Sequence, residues 1–144
     1  MKKHTLIETI HDTANHIYLV TIGTDMGQFT GSTVCQEEDF DTESEYFGFE
    51  LAEIKAEIAY ARAKRNYWNA RWEALAEFWR GMSDTRTYDV DSFWVKKMRV
   101  AVQDADCKRA FWKDRIMALK EVYHNKIVLR DESNKRLKAK GLRQ

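Results

Sequence analysis

Two stretches of this chain share one chemical pattern. Lys64-Arg65-Asn66-Tyr67-Trp68-Asn69-Ala70-Arg71 and Lys108-Arg109-Ala110-Phe111-Trp112-Lys113-Asp114-Arg115 both read Lys-Arg-x-aromatic-Trp-x-x-Arg. Such a pattern suits recognition of an anion that carries a ring. Guanidinium forks match pairs of phosphate oxygens, and indole faces stack on bases or cations. The candidate ligand-binding residues are therefore Arg65, Trp68, Arg71, Arg109, Trp112, Lys113 and Arg115, with Tyr88 between the two copies. The same residues have a structural reading. The arginines would snorkel outward to Glu57, Asp106 or Asp114 while the tryptophans fill core.

Catalytic and metal chemistry find no such support in the sequence. Gly23, Gly27 and Gly31 precede a strand rather than open a helix, so they make no phosphate loop. No Ser-His-Asp or Cys-His spacing stands out, and a carboxylate pair drawn from so acidic a stretch would be arbitrary. Cys35 and Cys107 with four scattered histidines give no zinc spacing, and the thiols are expected to be reduced small hydrophobes. The expectation is a binding protein, not an enzyme, with neither cofactor nor metal.

Composition bounds the partners. The 144 residues are 44% hydrophobic and 33% charged, which fits one globular domain with a real core. A net charge of +1 gives no strong whole-molecule attraction to nucleic acid or membrane, so electrostatic binding must come from local patches. Met1-Lys2-Lys3-His4 is not followed by the apolar run of a signal peptide. No stretch approaches the roughly 20 apolar residues of a membrane span. These features predict a cytoplasmic protein.

The elements that must position the repeat are read from periodicity. Residues 1–40 form a β-hairpin region. Ile17 to Ile22 is β-branched and aromatic, Thr24 to Gly27 is a turn, Gln28 to Cys35 is extended again, and Leu6 to Ile10 can add a third strand. Asp41 or Thr42 is placed to cap helix one, residues 43–82. There Phe47, Leu51, Ile54, Ile58, Ala61, Arg65, Trp68, Trp72, Leu75, Trp79 and Met82 alternate spacings of four and three. Gly81 to Asp91 interrupts the pattern, and Asp89 or Asp91 caps helix two, residues 90–133. Its seam runs Val95, Met98, Val102, Ala105, Arg109, Trp112, Ile116, Leu119 and Tyr123. A basic tail, residues 134–144, is expected to fray. The absence of proline agrees with long uninterrupted helices.

The fold class that follows is α+β, a small N-terminal antiparallel sheet or hairpin followed by a long antiparallel helical hairpin. Pairing Leu51 with Tyr123, Ile58 with Ile116, Arg65 with Arg109 and Trp72 with Val102 keeps the sum of residue numbers constant. This register opposes large residues to small ones and brings the two repeat copies to one height. It also sets the basic tail beside the acidic stretch 37–57, where the charges neutralise each other. A second stripe, Ala52, Ala56, Ala59, Ala63 and Ala70, permits close approach to the sheet or to another protomer, or reflects helix propensity alone.

The run Phe29-Thr30-Gly31, Cys35, Glu37-Glu38-Asp39, Gly48 and Leu51-Ala52-Glu53-Ile54-Lys55-Ala56 carries a resemblance. With the second helix it resembles the phage sponge proteins of the first Thoeris anti-defence family. That resemblance implies a sheet followed by two long helices, assembly as a homo-oligomer, and sequestration of a cyclic nucleotide-type immune signal without cleavage. It transfers no binding residue. The alternatives are a protein-binding inhibitor of a host defence complex, as anti-CRISPR proteins are, and a nucleic-acid-binding accessory protein.

Overall fold

β-branched and aromatic residues place three strands where they cluster: β1 (Thr5–Asp12), β2 (Ile17–Thr24) and β3 (Gly27–Val34). The computed structural model describes residues 4–85 and 93–141. The strands form one antiparallel sheet in the order β1-β2-β3, so the most apolar strand is central. β2 alternates, burying Tyr18, Val20 and Ile22 on one face. Across the ladder these stand opposite Thr33, Gly31 and Phe29 of β3. The β2–β3 turn is fixed by Thr24, whose Oγ1 accepts from Met26 N at 3.1 Å and donates to Gly27 O at 2.8 Å. Gly27 takes φ +103°, a conformation that L side chains rarely adopt. At the β1–β2 turn Asp12 Oδ1 accepts from the backbone of Ala14 and Asn15.

A short 3-10 helix, Glu37–Thr42, links the sheet to α1 (Glu45–Thr85), and α2 spans Phe93–Ala139. The expected α+β architecture is thus the observed one. Three local expectations change. Neither Asp41 nor Thr42 caps α1, because the 3-10 helix absorbs both, and Thr42 Oγ1 donates to Asp39 O. Ser44 takes that place, accepting from Phe47 N at 3.4 Å. Helix α1 continues through Gly81 to Thr85. Helix α2 continues to Ala139, through residues expected to fray. Asn134 is buried, and Lys138 Nζ donates to Glu38 O at 2.9 Å and Asp39 Oδ1 at 3.0 Å. The acidic stretch thus anchors the tail it was expected to neutralise. The caps Asp89 and Asp91 lie outside the described residues.

The chain divides into two compact units, residues 1–60 with 116–144 and residues 61–115. In the first, the inner face of the sheet packs on α1. A Cβ built on Gly31 would fall 2.0 Å from Ala52 O and 2.5 Å from Ala56 N. Ala52 and Ala56 are fully buried, so this part of the alanine stripe serves the sheet. In both units α1 and α2 run antiparallel. Tyr46 meets Lys126 and Lys55 meets Tyr123 in the first. Lys64 meets Trp112, Trp68 meets Lys108 and Trp79 meets Arg99 in the second. Seam positions Leu51, Ile54, Ile58 and Ala61 on α1 are buried, as are Val95, Ala105, Ile116 and Leu119 on α2.

Candidate functional site

The repeat lies wholly in the second unit, where the antiparallel helices bring its copies together. The apposition is reciprocal. Lys64 of the first copy stands 5.9 Å from the Trp112 ring centre, and Lys108 of the second stands 4.5 Å from that of Trp68. Arg109 stacks closest, its guanidinium carbon 3.7 Å from the Trp72 ring centre. Each such contact contributes about 0.5–1 kcal/mol at an exposed site. The cations are steadied along their own helices. Arg109 Nε donates to Asp106 Oδ1 at 2.8 Å, as the structural reading anticipated. Lys108 pairs with Asp104 at 3.2 Å, and Arg65 donates to Asn66 Oδ1 at 3.2 Å.

These contacts redistribute roles within the candidate set. Trp68 and Trp112 are half-buried and carry lysines on their faces, so both are committed to holding the hairpin. Arg71, Lys113 and Arg115 are exposed and make no hydrogen bond or ion pair among the described residues. Tyr88 lies outside the described residues. Around the repeat, residues 61–72 and 104–115 carry eight cationic side chains, Arg62, Lys64, Arg65, Arg71, Lys108, Arg109, Lys113 and Arg115. Only Asp104, Asp106 and Asp114 oppose them. A chain of net charge +1 thus concentrates a positive excess here.

Arg71 also borders a shallow groove of about 560 Å³ with Tyr67, Ala70, Ala74, Leu75, Phe78 and Met98. The volume falls in the range of small-molecule sites, roughly 300–1,000 Å³. Tyr67 is 50% exposed and Phe78 57%, so both present ring surface to solvent beside Ala70 and Ala74, with Tyr67 also in edge contact with Trp68. The groove went unnoticed in the sequence because Tyr67 and Phe78 fall outside the seam. Tyr67, Arg71, Ala74 and Phe78 fall at i, i+4, i+7 and i+11 of one helix face, and that spacing was the available signal.

A second polar cluster, unforeseen from the sequence, occupies the first unit. Glu43 accepts from His11 Nε2 at 3.0 Å, His16 Nδ1 at 2.5 Å and Tyr18 Oη. His11 stacks on Tyr18 and His16 on Phe40, with ring centres 4.1 and 3.6 Å apart. His16 holds φ +56°, a left-handed conformation that its contacts with Glu43 and Phe40 must sustain. Burial alone would raise the Glu43 carboxyl. The bonds from Tyr18, His16 and His11 outweigh burial and hold it below its ordinary value. Burial, then Glu43, pushes the Tyr18 hydroxyl up, so it remains a donor. Burial and then Glu43 and Asp39 lift the neighbouring Cys35 thiol to about 11, which leaves no reactive thiolate. The adjoining cavity is about 30 Å³, enough for a water or two but far below a nucleotide. Three side chains of the cluster converge on Glu43, with His11 Nδ1 also 3.3 Å from Glu45 Oε1, and this arrangement suits a clamp between sheet and helix. No local spacing announces it, since the partners lie 25–32 residues apart.

Glu43→Gln is expected to cost about 2–3 kcal/mol, since bonds to a charged acceptor contribute roughly 1.5–3 kcal/mol each. The sign of the pH dependence follows from the depressed carboxyl. Its contribution is complete above the ordinary glutamate value of 4.5 and disappears as pH falls through the lower folded value. Urea melts of wild type and Glu43→Gln should therefore differ at pH 7 and converge in acid. Parallel curves at both pH values would contradict the clamp.

Comparison with known proteins found no matching family model, curated protein or solved structure. No helix among the described residues is long and apolar enough to cross a membrane.

Proposed function

We propose that the protein binds and sequesters a phosphate-bearing, nucleotide-type signal without cleaving it. The site is the belt and groove of the second unit. The observation that carries this reading is Arg71, a guanidinium without an ion pair among the described residues, beside the exposed rings of Tyr67 and Phe78. Arginine supplies a planar fork for phosphate, and the rings supply apolar faces for a base. Lys113 and Arg115 add positive charge on α2, and Arg65 and Arg109 lie within the same repeat. Cations held on indole faces are pre-oriented, which lowers the ordering cost of binding. With the resemblance to Thoeris sponge proteins, the reading becomes phage counter-defence in the host cytoplasm, directed at a cyclic nucleotide.

Sequestration predicts that protein purified from cells making such a signal carries it intact. Heating the protein should release material absorbing near 260 nm whose mass equals that of the uncleaved nucleotide. Release of a linear or hydrolysed product would overturn the non-enzymatic reading.

A second reading is supported by the exposed apolar side chains of α2. In the second unit Phe93, Trp94, Val100 and Phe111 are exposed, and in the first Met117, Val122 and Leu129. Such side chains suit a protein interface, which a homo-oligomer, at minimum a dimer, or a host defence protein would cover. Light scattering of the pure protein separates the two partners, since a monomer leaves only the host protein.

A further inference from the structure

We propose that His4, Glu53 and Glu57 form a binding site for a divalent transition-metal ion. Glu53 and Glu57 lie one turn apart on α1 and so share a face of the helix. His4 directly precedes β1. Its Nε2 lies 3.1 Å from Glu53 Oε2 and 3.4 Å from Glu57 Oε1. One ligand atom from each residue lies within 4.8 Å of the other two. The side chains are largely enclosed, being 7%, 17% and 14% exposed.

The separations fit shared coordination. Two ligands held at about 2.1 Å from one ion stand roughly 3.0 Å apart at right angles and roughly 3.4 Å apart at the tetrahedral angle. The two His–Glu distances fall at these values. One imidazole with two carboxylates favours Zn²⁺ or Mn²⁺. Calcium and magnesium prefer all-oxygen sets.

Three protein ligands leave a coordination position for water. An open depression of about 660 Å³, bordered by Thr5, Ile7, Gly23 and Gln28, reaches His4 from solvent. The bound ion would pin the start of β1, an edge strand, to α1. The sequence hid this set because the histidine stands 49 residues from the nearer glutamate. The site lies in the first unit and is independent of the proposed ligand groove in the second.

The test is calorimetric titration of metal-stripped, full-length protein with ZnCl₂ and with MnCl₂, alongside thermal melts. Wild type should take up one ion per chain and melt at a higher temperature with it. Loss of a second-sphere partner already weakens metal binding about 10–100-fold, so His4→Ala and Glu57→Gln should each weaken it by about 100-fold or more. Glu57→Gln keeps the side-chain volume and the helix, which separates ligand loss from misfolding. His124→Ala, an exposed histidine on α2, should bind like wild type. The proposal is overturned if wild type shows no saturable binding of either ion. It is equally overturned if Glu57→Gln binds undiminished, or if His124→Ala abolishes uptake.

Discussion

Gly31→Ala is expected to disrupt the first unit, with the largest stability loss of any single methyl added to this chain. The new Cβ would stand 2.0 Å from Ala52 O, 2.5 Å from Ala56 N and 2.9 Å from Lys55 Cβ. Two of these are backbone atoms of a continuous helix, which cannot rotate aside as a side chain can. Overpacking of ordinary cores costs about 1–3 kcal/mol. Here the helix itself must lift off β3, uncovering Val20, Ile22, Leu51 and their buried neighbours. The cost should exceed that range and approach the whole stability of a small domain, about 5–15 kcal/mol. Gly81→Ala supplies the opposite sign. Nothing lies within 4 Å of its Cβ, and in a helix interior alanine should add about 0.5–1 kcal/mol. Thermal melts followed by circular dichroism distinguish the two. A Gly31→Ala protein melting with wild type would contradict the contact between β3 and α1. By the same geometry Ala56→Glu should unfold the chain rather than separate protomers.

Arg71→Gln should reduce ligand affinity by about tenfold to a hundredfold while leaving the melting temperature in place. A charge-assisted hydrogen bond contributes roughly 1.5–3 kcal/mol, and each 1.4 kcal/mol is a factor of ten. Arg71 makes no ion pair or hydrogen bond among the described residues, so its removal costs the fold little. Arg109→Gln should behave differently. Arg109 covers Trp72 and bonds Asp106, so the change should lower stability by about 1 kcal/mol whatever it does to binding. Paired calorimetry and melts of the two variants distinguish ligand contact from hairpin support. Equal destabilisation by both would remove Arg71 from the site and leave the belt a structural device.

The sequence made the helical hairpin and sheet legible because both announce themselves through period. Alternation in Tyr18, Val20 and Ile22 and the four-three spacing from Leu51 to Trp79 are properties of contiguous residues. The meeting of the repeat copies was legible too, since an antiparallel register is arithmetic. What those cations do once they meet was not. Whether Lys108 reaches solvent or lies on Trp68 depends on side-chain torsions that spacing does not encode. The Glu43 clamp was hidden for another reason. Its donors come from a strand end, a turn and a second strand, and only the folded sheet aims them at one carboxylate. The tail's anchoring is hidden for a third reason: lysine-rich ends usually fray, whereas Lys138 finds Asp39 99 residues away.

The ligand proposed for the cationic groove of the second unit is a phosphate-bearing nucleotide. Calorimetric titration of wild type with cyclic ADP-ribose isomers and cyclic di- and trinucleotides, repeated with the corresponding phosphate-free nucleosides, tests it most directly. Saturable binding of at least one phosphate-bearing member is expected, weakening with added salt. The nucleosides should bind poorly, and Arg71→Gln should lose affinity. No heat from any member of the panel, or equal binding of nucleoside and nucleotide, would contradict it.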